Sequence, residues 1–242
     1  MIYGAKKGSK NNQKPNIAPD SLVSTNIFKG LYGLCEGEIA GLVNGGKSIR
    51  LDDTPLINDN GQPNFTGVNW DFRTGTLDQS HIAGFPAVEN ETNIGVEVRH
   101  DRPFVRAVSN KDLSAVRVRL NFNALREQKD NGDITGYAIE YAIDIQTDGG
   151  AFVQVLKTAV RGKASQGFKR SHRLDLPKGK RWTLRVRRLT ANRDSDLISD
   201  AMYVDALTEV IDVKLRYPAT AMLGLSYNAE TFGNIAKVAI DL

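Results

Sequence analysis

Hydrophobic and polar residues alternate most regularly in the middle of the chain. Over residues 116–123 the even positions are apolar and the odd positions are polar, which is the period of a strand buried on one face. Residues 137–146 repeat this alternation, with Tyr137, Ile139 and Ile143 among the apolar positions. Both segments are therefore predicted to be strands of sheets that face a hydrophobic core.

A turn and a third alternating segment extend this pattern. Thr147-Asp148-Gly149-Gly150 supplies the flexible backbone of a hairpin turn into the apolar run after it. From Trp182 onward apolar and basic residues alternate again, which predicts that the tryptophan is buried, until Arg188-Leu189 breaks the phase as a bulge would. Strands separated by turns at these intervals indicate a β-sandwich.

Short β-leaning runs lie before this region, and runs of the same style return after Val204. The pattern indicates a chain that leaves one β domain, builds a sandwich and then comes back. We expect an all-β fold in which a discontinuous β domain of residues 21–92 and 203–242 carries an inserted β-sandwich of residues 93–202. Residues 1–20 carry four lysines among Gly, Ser, Asn and Pro with few apolar residues, and are expected to form a flexible basic N-terminal arm.

The charge is distributed unevenly, although the 242 residues carry a net charge of only +4. Residues 161–188 are rich in lysine and arginine, with Asp175 as their one acid. Arg185 and Arg187 would lie side by side on a sheet face, as would Arg117 and Arg119, and such a face suits an anionic partner. A nucleic-acid-binding β module is therefore the alternative function. The same faces lack the interleaved aromatic residues that β-sheet nucleic-acid readers use for base stacking.

The chain's chemistry offers little support for an enzyme. Its one cysteine, Cys35, excludes an internal disulfide framework, and it suits a reducing cytosol. No apolar run is long enough to cross a bilayer, and no signal-peptide pattern opens the chain, so a soluble, non-exported protein is expected. His81, His100 and His172 are scattered rather than paired at ligand spacing. We predict no catalytic, cofactor-binding or metal site.

Two groups of residues test that prediction. Residues 41–48 match the phosphate-loop consensus G-x-x-x-x-G-K-[ST], but a working loop needs a buried strand before it and a helix after it. The segment after Ser48 is predicted to be a strand and turn, so a Gly-rich turn is favoured over nucleotide binding. The acidic pairs Asp52-Asp53 and Asp194 with Asp196 are similarly assigned to turns rather than to cation binding.

The segment Glu36-Gly37-Glu38-Ile39-Ala40-Gly41 and several segments that follow it along the chain together resemble the lambda-type phage tip attachment protein J (host specificity protein J) family. The resemblance begins with Glu36-Gly37-Glu38-Ile39-Ala40-Gly41, continues with Gly45-Gly46-Lys47-Ser48 and closes a turn at Asp52-Asp53-Thr54-Pro55. It runs in order from about Ser24 to Phe232. Further similar segments are residues 64–68, 72–75, 95–103, 185–190, 208–214 and 217–224.

The resemblance, and not composition or periodicity, implies a role and a location. Proteins of this family are structural components of a tail tip, where their N-terminal part builds a trimeric hub by contacts with neighbouring tip proteins. The discontinuous β domain would then be the tail hub. The expected location is the virion tail tip, with assembly in the bacterial host cytoplasm. Because this chain stops where the family's chains continue, we expect receptor recognition to be absent and the protein to be a monomer or weak oligomer, with strand edges near residues 235–242 open to pairing.

Overall fold

The fold was taken from a computed structural model, which describes residues 14–24, 27–85, 88–229, 232 and 235–242. Regular structure in these residues consists of β-strands and short 3₁₀ turns such as Gly45–Ser48, so the predicted all-β class is confirmed. Within the same ranges, no helix is long and apolar enough to cross a membrane.

Seventeen strands are formed in the described part of the chain, and three of the longer ones coincide with the three alternating segments of the sequence. They are β1 Ile27–Glu36, β2 Ile49–Leu51, β3 Thr54–Pro55, β4 Asn69–Arg73, β5 Val88–Glu97, β6 Phe104–Val108, β7 Ala115–Phe122, β8 Arg126–Gln128, β9 Ile134–Thr135, β10 Tyr137–Thr147, β11 Phe152–Gly162, β12 Phe168–Asp175, β13 Trp182–Arg188, β14 Ile198–Ser199, β15 Met202–Ile211, β16 Thr220–Asn228 and β17 Val238–Ile240.

Two four-stranded antiparallel sheets form the sandwich that the alternation predicted. One sheet has the strand order β11-β10-β13-β6 and the other has the order β12-β7-β15-β5. Their inward side chains form one core, which includes Phe122, Ile143 and Leu184. Trp182 is buried in it, as predicted, and its indole N–H donates to the carbonyl of Pro177 at 2.9 Å. The turn between β10 and β11 lies where Gly149 was expected to permit it, with a φ of +79°.

Arg188 is a correction to the expected end of β13. The strand keeps its register with β10 through Arg188, which pairs with Tyr141. The N–H groups of Leu189 and Thr190 then both donate to the carbonyl of Glu140, at 2.8 and 3.3 Å, so the regular pairing ends there. The arginine occupies the inward, apolar position and is only 1% exposed. A charged residue can take this place because Asp200 neutralises it and backbone carbonyls accept its N–H groups. The irregularity expected at Arg188-Leu189 therefore lies directly after Arg188, and Arg188 itself still belongs to the strand.

A second hydrophobic core lies between two smaller sheets at the two ends of the sequence. The three-stranded sheet β1-β16-β4 joins residues 27–36, 220–228 and 69–73, and the sheet β17-β2-β3 joins the last strand to the turn at Asp52-Asp53. Leu223, Leu225 and Tyr227 of β16 pack into this core. The last strand therefore pairs with β2 along one of its edges.

The strands near the expected domain boundaries run across them. β5 begins at Val88 and β15 continues to Ile211, and both are strands of a sandwich sheet. Boundaries at 93 and 202 would cut each of them. Their positions indicate a sandwich that extends from about residue 88 to residue 211. The division of the chain into two domains stays a proposal.

Part of the expected flexible arm is held against the sandwich. Ile17 forms a parallel bridge with Ile134. Directly after the arm, Leu22, which was expected in the discontinuous β domain, is buried in the sandwich core. Composition alone suggested a free arm, but main-chain hydrogen bonds do not require apolar residues. Residues 14–20 therefore do not form the flexible segment that was expected. Residues 1–13, with Lys6, Lys7 and Lys10, lie outside the described part of the chain.

Candidate interaction surfaces

The paired arginines of β13 are neutralised by a buried carboxylate on the neighbouring strand. Asp144 accepts hydrogen bonds from Nε of Arg185 at 2.8 Å and from Nε of Arg187 at 2.6 Å. Burial acts to raise the pKa of Asp144, but the hydrogen bonds from the two arginines outweigh it and hold that pKa below its usual value. The guanidinium of Arg185 also lies 4.0 Å from the ring centre of Phe152. These arginines are thus engaged within the sheet.

The basic residues of β7 are paired in the same way on the other sheet. Arg117 contacts Glu89 at 2.5 Å, and Arg119 contacts Glu91 at 2.7 Å and Asp205 at 2.6 Å. The carboxylates come from β5 and β15, so sheet formation brings them beside the arginines. This face is a band of alternating charges. Its arginines are thus paired with carboxylates rather than left unpaired for phosphate groups.

Most of the remaining basic residues of the 161–188 stretch also have acidic partners. The pairs are Arg161 with Glu140, Lys163 with Asp20, Lys169 with Asp205, Arg173 with Asp212 and Arg188 with Asp200. Among the described residues, Arg170, Lys178, Lys180 and Arg181 form no ion pair. The stretch is therefore far less basic in the fold than along the sequence, and no feature of it favours nucleic-acid binding.

The phosphate-loop match folds as a turn that leads into a strand. Gly45–Ser48 is a single 3₁₀ turn, and β2 comes directly after it where a phosphate loop would require a helix. The ammonium of Lys47 contacts Asp59 at 3.3 Å, and the hydroxyl of Ser48 accepts from the backbone N–H of Asn44. Both polar groups of the motif are used locally.

The other candidate residues are not brought together in one place. Asp52 and Asp53 form the turn between β2 and β3 with φ values of +47° and +66°. Asp194 pairs with Arg99. Within the described ranges, no three His, Cys, Asp or Glu side chains are grouped so as to hold a metal ion. Cys35 lies in β1 and is half-buried.

His172 contacts a buried tyrosine inside the sandwich. Its Nε2 lies 2.8 Å from the hydroxyl of Tyr141, which is 1% exposed. Burial raises the pKa of Tyr141 to about 12. Burial, together with the smaller effect of the charge of Arg170, lowers the pKa of His172 below its usual value of 6.5. The neutral imidazole is therefore the form that the fold accommodates.

We expect the protein to lose stability as the pH falls below about 6.5, because the unfolded chain then binds a proton at residue 172 that the folded chain resists. The loss continues until the pH reaches the lower pKa of the folded His172. Urea unfolding between pH 8 and pH 5 would measure it. His172→Gln should remove this step, while His100→Gln, at an exposed residue, should retain it. An unchanged step in His172→Gln would contradict the assignment.

A buried amide holds the chain where it returns to the second core. Gln79 is 6% exposed, and its Nε2 donates to the carbonyls of Arg216, Tyr217 and Thr220 at 2.7–2.9 Å. Its Oε1 accepts the backbone N–H of Gly75 at 2.9 Å. This clamp holds a loop in which Tyr217 adopts a φ of +48°. No sequence pattern pointed to it, since its carbonyl partners are backbone atoms more than 130 residues away.

Comparison with known proteins identifies relatives over almost the whole chain. The family model for the FNIII-A domain of tip attachment protein J matches residues 88–213. Tip attachment protein J of Escherichia phage SECphi27 is 36% identical over 233 residues, which are 96% of this chain and 20% of that protein. Its counterpart in Escherichia phage SECphi4 is 37% identical over 244 residues, which cover 99% of this chain and 21% of that protein. The chain thus spans about a fifth of the length of the curated relatives it matches.

Solved structures give a weaker match. The xylan-binding domain CBM22-1 from Paenibacillus barcinonensis Xyn10C aligns with 80% of this chain and 99% of its own, at a TM-score of 0.30 and 9% identity. A likeness at this level carries no argument about fold or ligand.

Proposed function

The chain belongs to the tip attachment protein J family, and on that premise we propose that it is a structural component of a bacteriophage or prophage tail tip. The observation that carries the proposal is the 36–37% identity over 96–99% of the chain. Two residue ranges with quite different roles in the fold, the sandwich and the smaller sheets, both fall within that similarity. A shared β module alone would have matched only one of them.

The proposed mode of action is protein–protein contact, with no catalysis. The chain would form the N-terminal hub part of the tip protein, assembled in the bacterial host cytoplasm and carried at the virion tail tip. The charged faces support this, because their side chains are paired within the sheets and present a polar surface without a clustered reactive group. Its partners would be other tail-tip proteins and further copies of itself.

We infer a trimer in the virion and a monomer or weak oligomer for these 242 residues in solution. The edge strands support the second part. β11 carries a register shift beside Asp144, and β1 carries one beside Gly33 and Cys35; such bulges discourage edge-to-edge pairing. Sedimentation over a concentration series tests it, and a trimer that persists at nanomolar protein would overturn it.

Nucleic-acid binding is the rival, and salt titration separates the two. A protein that neutralises phosphates loses affinity steeply as salt rises. We expect no measurable binding of a DNA duplex of about 30 base pairs at about 150 mM salt, a concentration at which screening extends over ~8 Å. Tight binding that is lost in Arg185→Ala plus Arg187→Ala would favour the rival, with Arg161→Ala, on β11 at the edge of the same sheet, as the exposed control.

A further inference from the structure

An N-terminal segment of the chain lies against the sandwich and is hydrogen-bonded to it. We call residues 14–24 the N-terminal strap. The backbone N–H of Ile134 donates to the carbonyl of Asn16, and the N–H of Ala18 donates to the carbonyl of Ile134, both at 2.9 Å. The side chain of Asp133 accepts the backbone N–H of Asn16 at 2.6 Å. The first part of the strap is therefore bound through its main chain.

The second part of the strap is bound at the end of β11. The N–H groups of Ser21 and Leu22 both donate to the carbonyl of Lys163, at 2.9 and 3.1 Å. The N–H of Lys163 donates back to the hydroxyl of Ser21 at 3.0 Å. Leu22 is 8% exposed and belongs to the sandwich core. An apolar anchor thus adds to the main-chain hydrogen bonds.

A buried lysine of the sandwich depends on the strap for its counter-charge. The side chain of Lys163 is 6% exposed, and its ammonium lies 2.6 Å from the carboxylate of Asp20. That carboxylate also accepts the N–H and the hydroxyl of Ser165, at 3.1 and 2.9 Å. The hydrogen bond from Lys163, together with those from Ser165, lowers the pKa of Asp20. A buried ammonium without such a partner is strongly disfavoured.

Glycines leave the space that the strap occupies. A Cβ added at Gly162 would lie 2.5 Å from the hydroxyl oxygen of Ser21 and 3.0 Å from Cγ of Leu22, and the φ of this glycine is +144°. A Cβ at Gly132 would lie 3.1 Å from the ring of Pro15. The sandwich surface is therefore shaped to the strap at both ends of the contact.

From these contacts we propose that the sandwich carries a peptide-binding groove whose ligand is the chain's own strap. The groove selects an extended segment with a carboxylate followed two residues later by leucine. The strap leads into β1, so its docking would set how the sandwich is held relative to the second core. No strand of one core pairs with a strand of the other in the described chain, and the strap is one of three passages between them.

Hydrogen exchange of the full chain tests the groove. In Asp20→Asn we expect the amides of Ala18, Ser21 and Leu22 to exchange at least ~10-fold faster, as local opening requires, with the amides of β10 and β13 unchanged. The matched control is Glu140→Gln, which removes the exposed partner of Arg161. If Asp20→Asn fails to fold, Asp20→Asn with Lys163→Met removes both charges and should show the same local acceleration. Unchanged strap amides in the folded variant would overturn the proposal, as would wild-type strap amides that exchange like a free peptide.

Distance measurement tests the orientation. Spin labels at Leu77→Cys and Val153→Cys, on exposed positions of the two parts and in a Cys35→Ser background, would report the separation. We expect a narrow distance distribution that Asp20→Asn broadens and Glu140→Gln does not. An equally narrow distribution in Asp20→Asn would overturn the orienting role. Both experiments use purified protein, so their outcome is independent of the proposed tail-tip function.

Discussion

Replacing Arg188 with methionine should lower the free energy of unfolding by about 3–5 kcal/mol, because the change leaves the buried carboxylate of Asp200 without its counter-charge. Nη2 of Arg188 lies 2.5 Å from that carboxylate, and Nε donates to the carbonyl of Thr190 at 2.8 Å. Methionine keeps the apolar stem but supplies none of these donors. Urea or guanidinium unfolding measures the loss.

Two further variants test whether the loss in Arg188→Met comes from breaking a buried ion pair. Arg161→Met breaks a pair whose arginine side chain is 66% exposed, and should cost about 0–1 kcal/mol. Arg188→Met combined with Asp200→Leu removes both charges, so it should recover a large part of the stability lost in the single variant. A loss in Arg188→Met no larger than that of Arg161→Met would show that the buried pair does not support the sandwich.

Gln79→Ala is expected to cost about 2–4 kcal/mol, since it removes the partner of one buried N–H and three carbonyls at once. Its effect should fall on the core around Leu223 and Tyr227 rather than on the sandwich. Comparing the amide hydrogen exchange rates of β16, in the second core, with those of β10, in the sandwich, would show which core is destabilised. The control is Gln154→Ala, at an exposed amide bonded to Arg187, which should stay within about 0.5 kcal/mol. Equal losses in the two variants, or a loss spread evenly over both cores, would contradict this account of the clamp.

Two strands of the sandwich were readily predictable because one face of each is buried and the other is only partly buried. β7 follows this rule without exception from Val116 to Phe122, and β13 follows it from Trp182 to Val186. The 3₁₀ turn before β2 was also expected as a turn, since Gly45 and Gly46 favour one. In these places the alternation of apolar and polar residues agrees with which side chains are buried, so the sequence pattern is enough to predict the strands.

The features that escaped prediction all depend on contacts between distant residues. Arg188 was assigned to a bulge because charge usually means exposure, and its buried position requires Asp200. Residues 14–20 of the strap were assigned to a flexible arm because their anchors are main-chain hydrogen bonds to Ile134 and a single carboxylate, Asp20, facing Lys163. The stretch of residues 161–188 suggested a site for an anionic partner for the same reason: most of the acids that neutralise it lie elsewhere in the sequence. Local composition contains no record of these pairings.

The central claim is that this chain is a structural part of a phage tail tip, and immuno-electron microscopy of virions tests it most directly. Antibodies raised against the folded 242-residue protein would be applied to intact particles from the phage or induced prophage that encodes it. We predict label confined to the distal end of the tail, at one site per particle, and no label on particles from a deletion mutant, which should not be infectious. Label on the capsid or along the tube, or virions that lack the protein while remaining infectious, would contradict the claim.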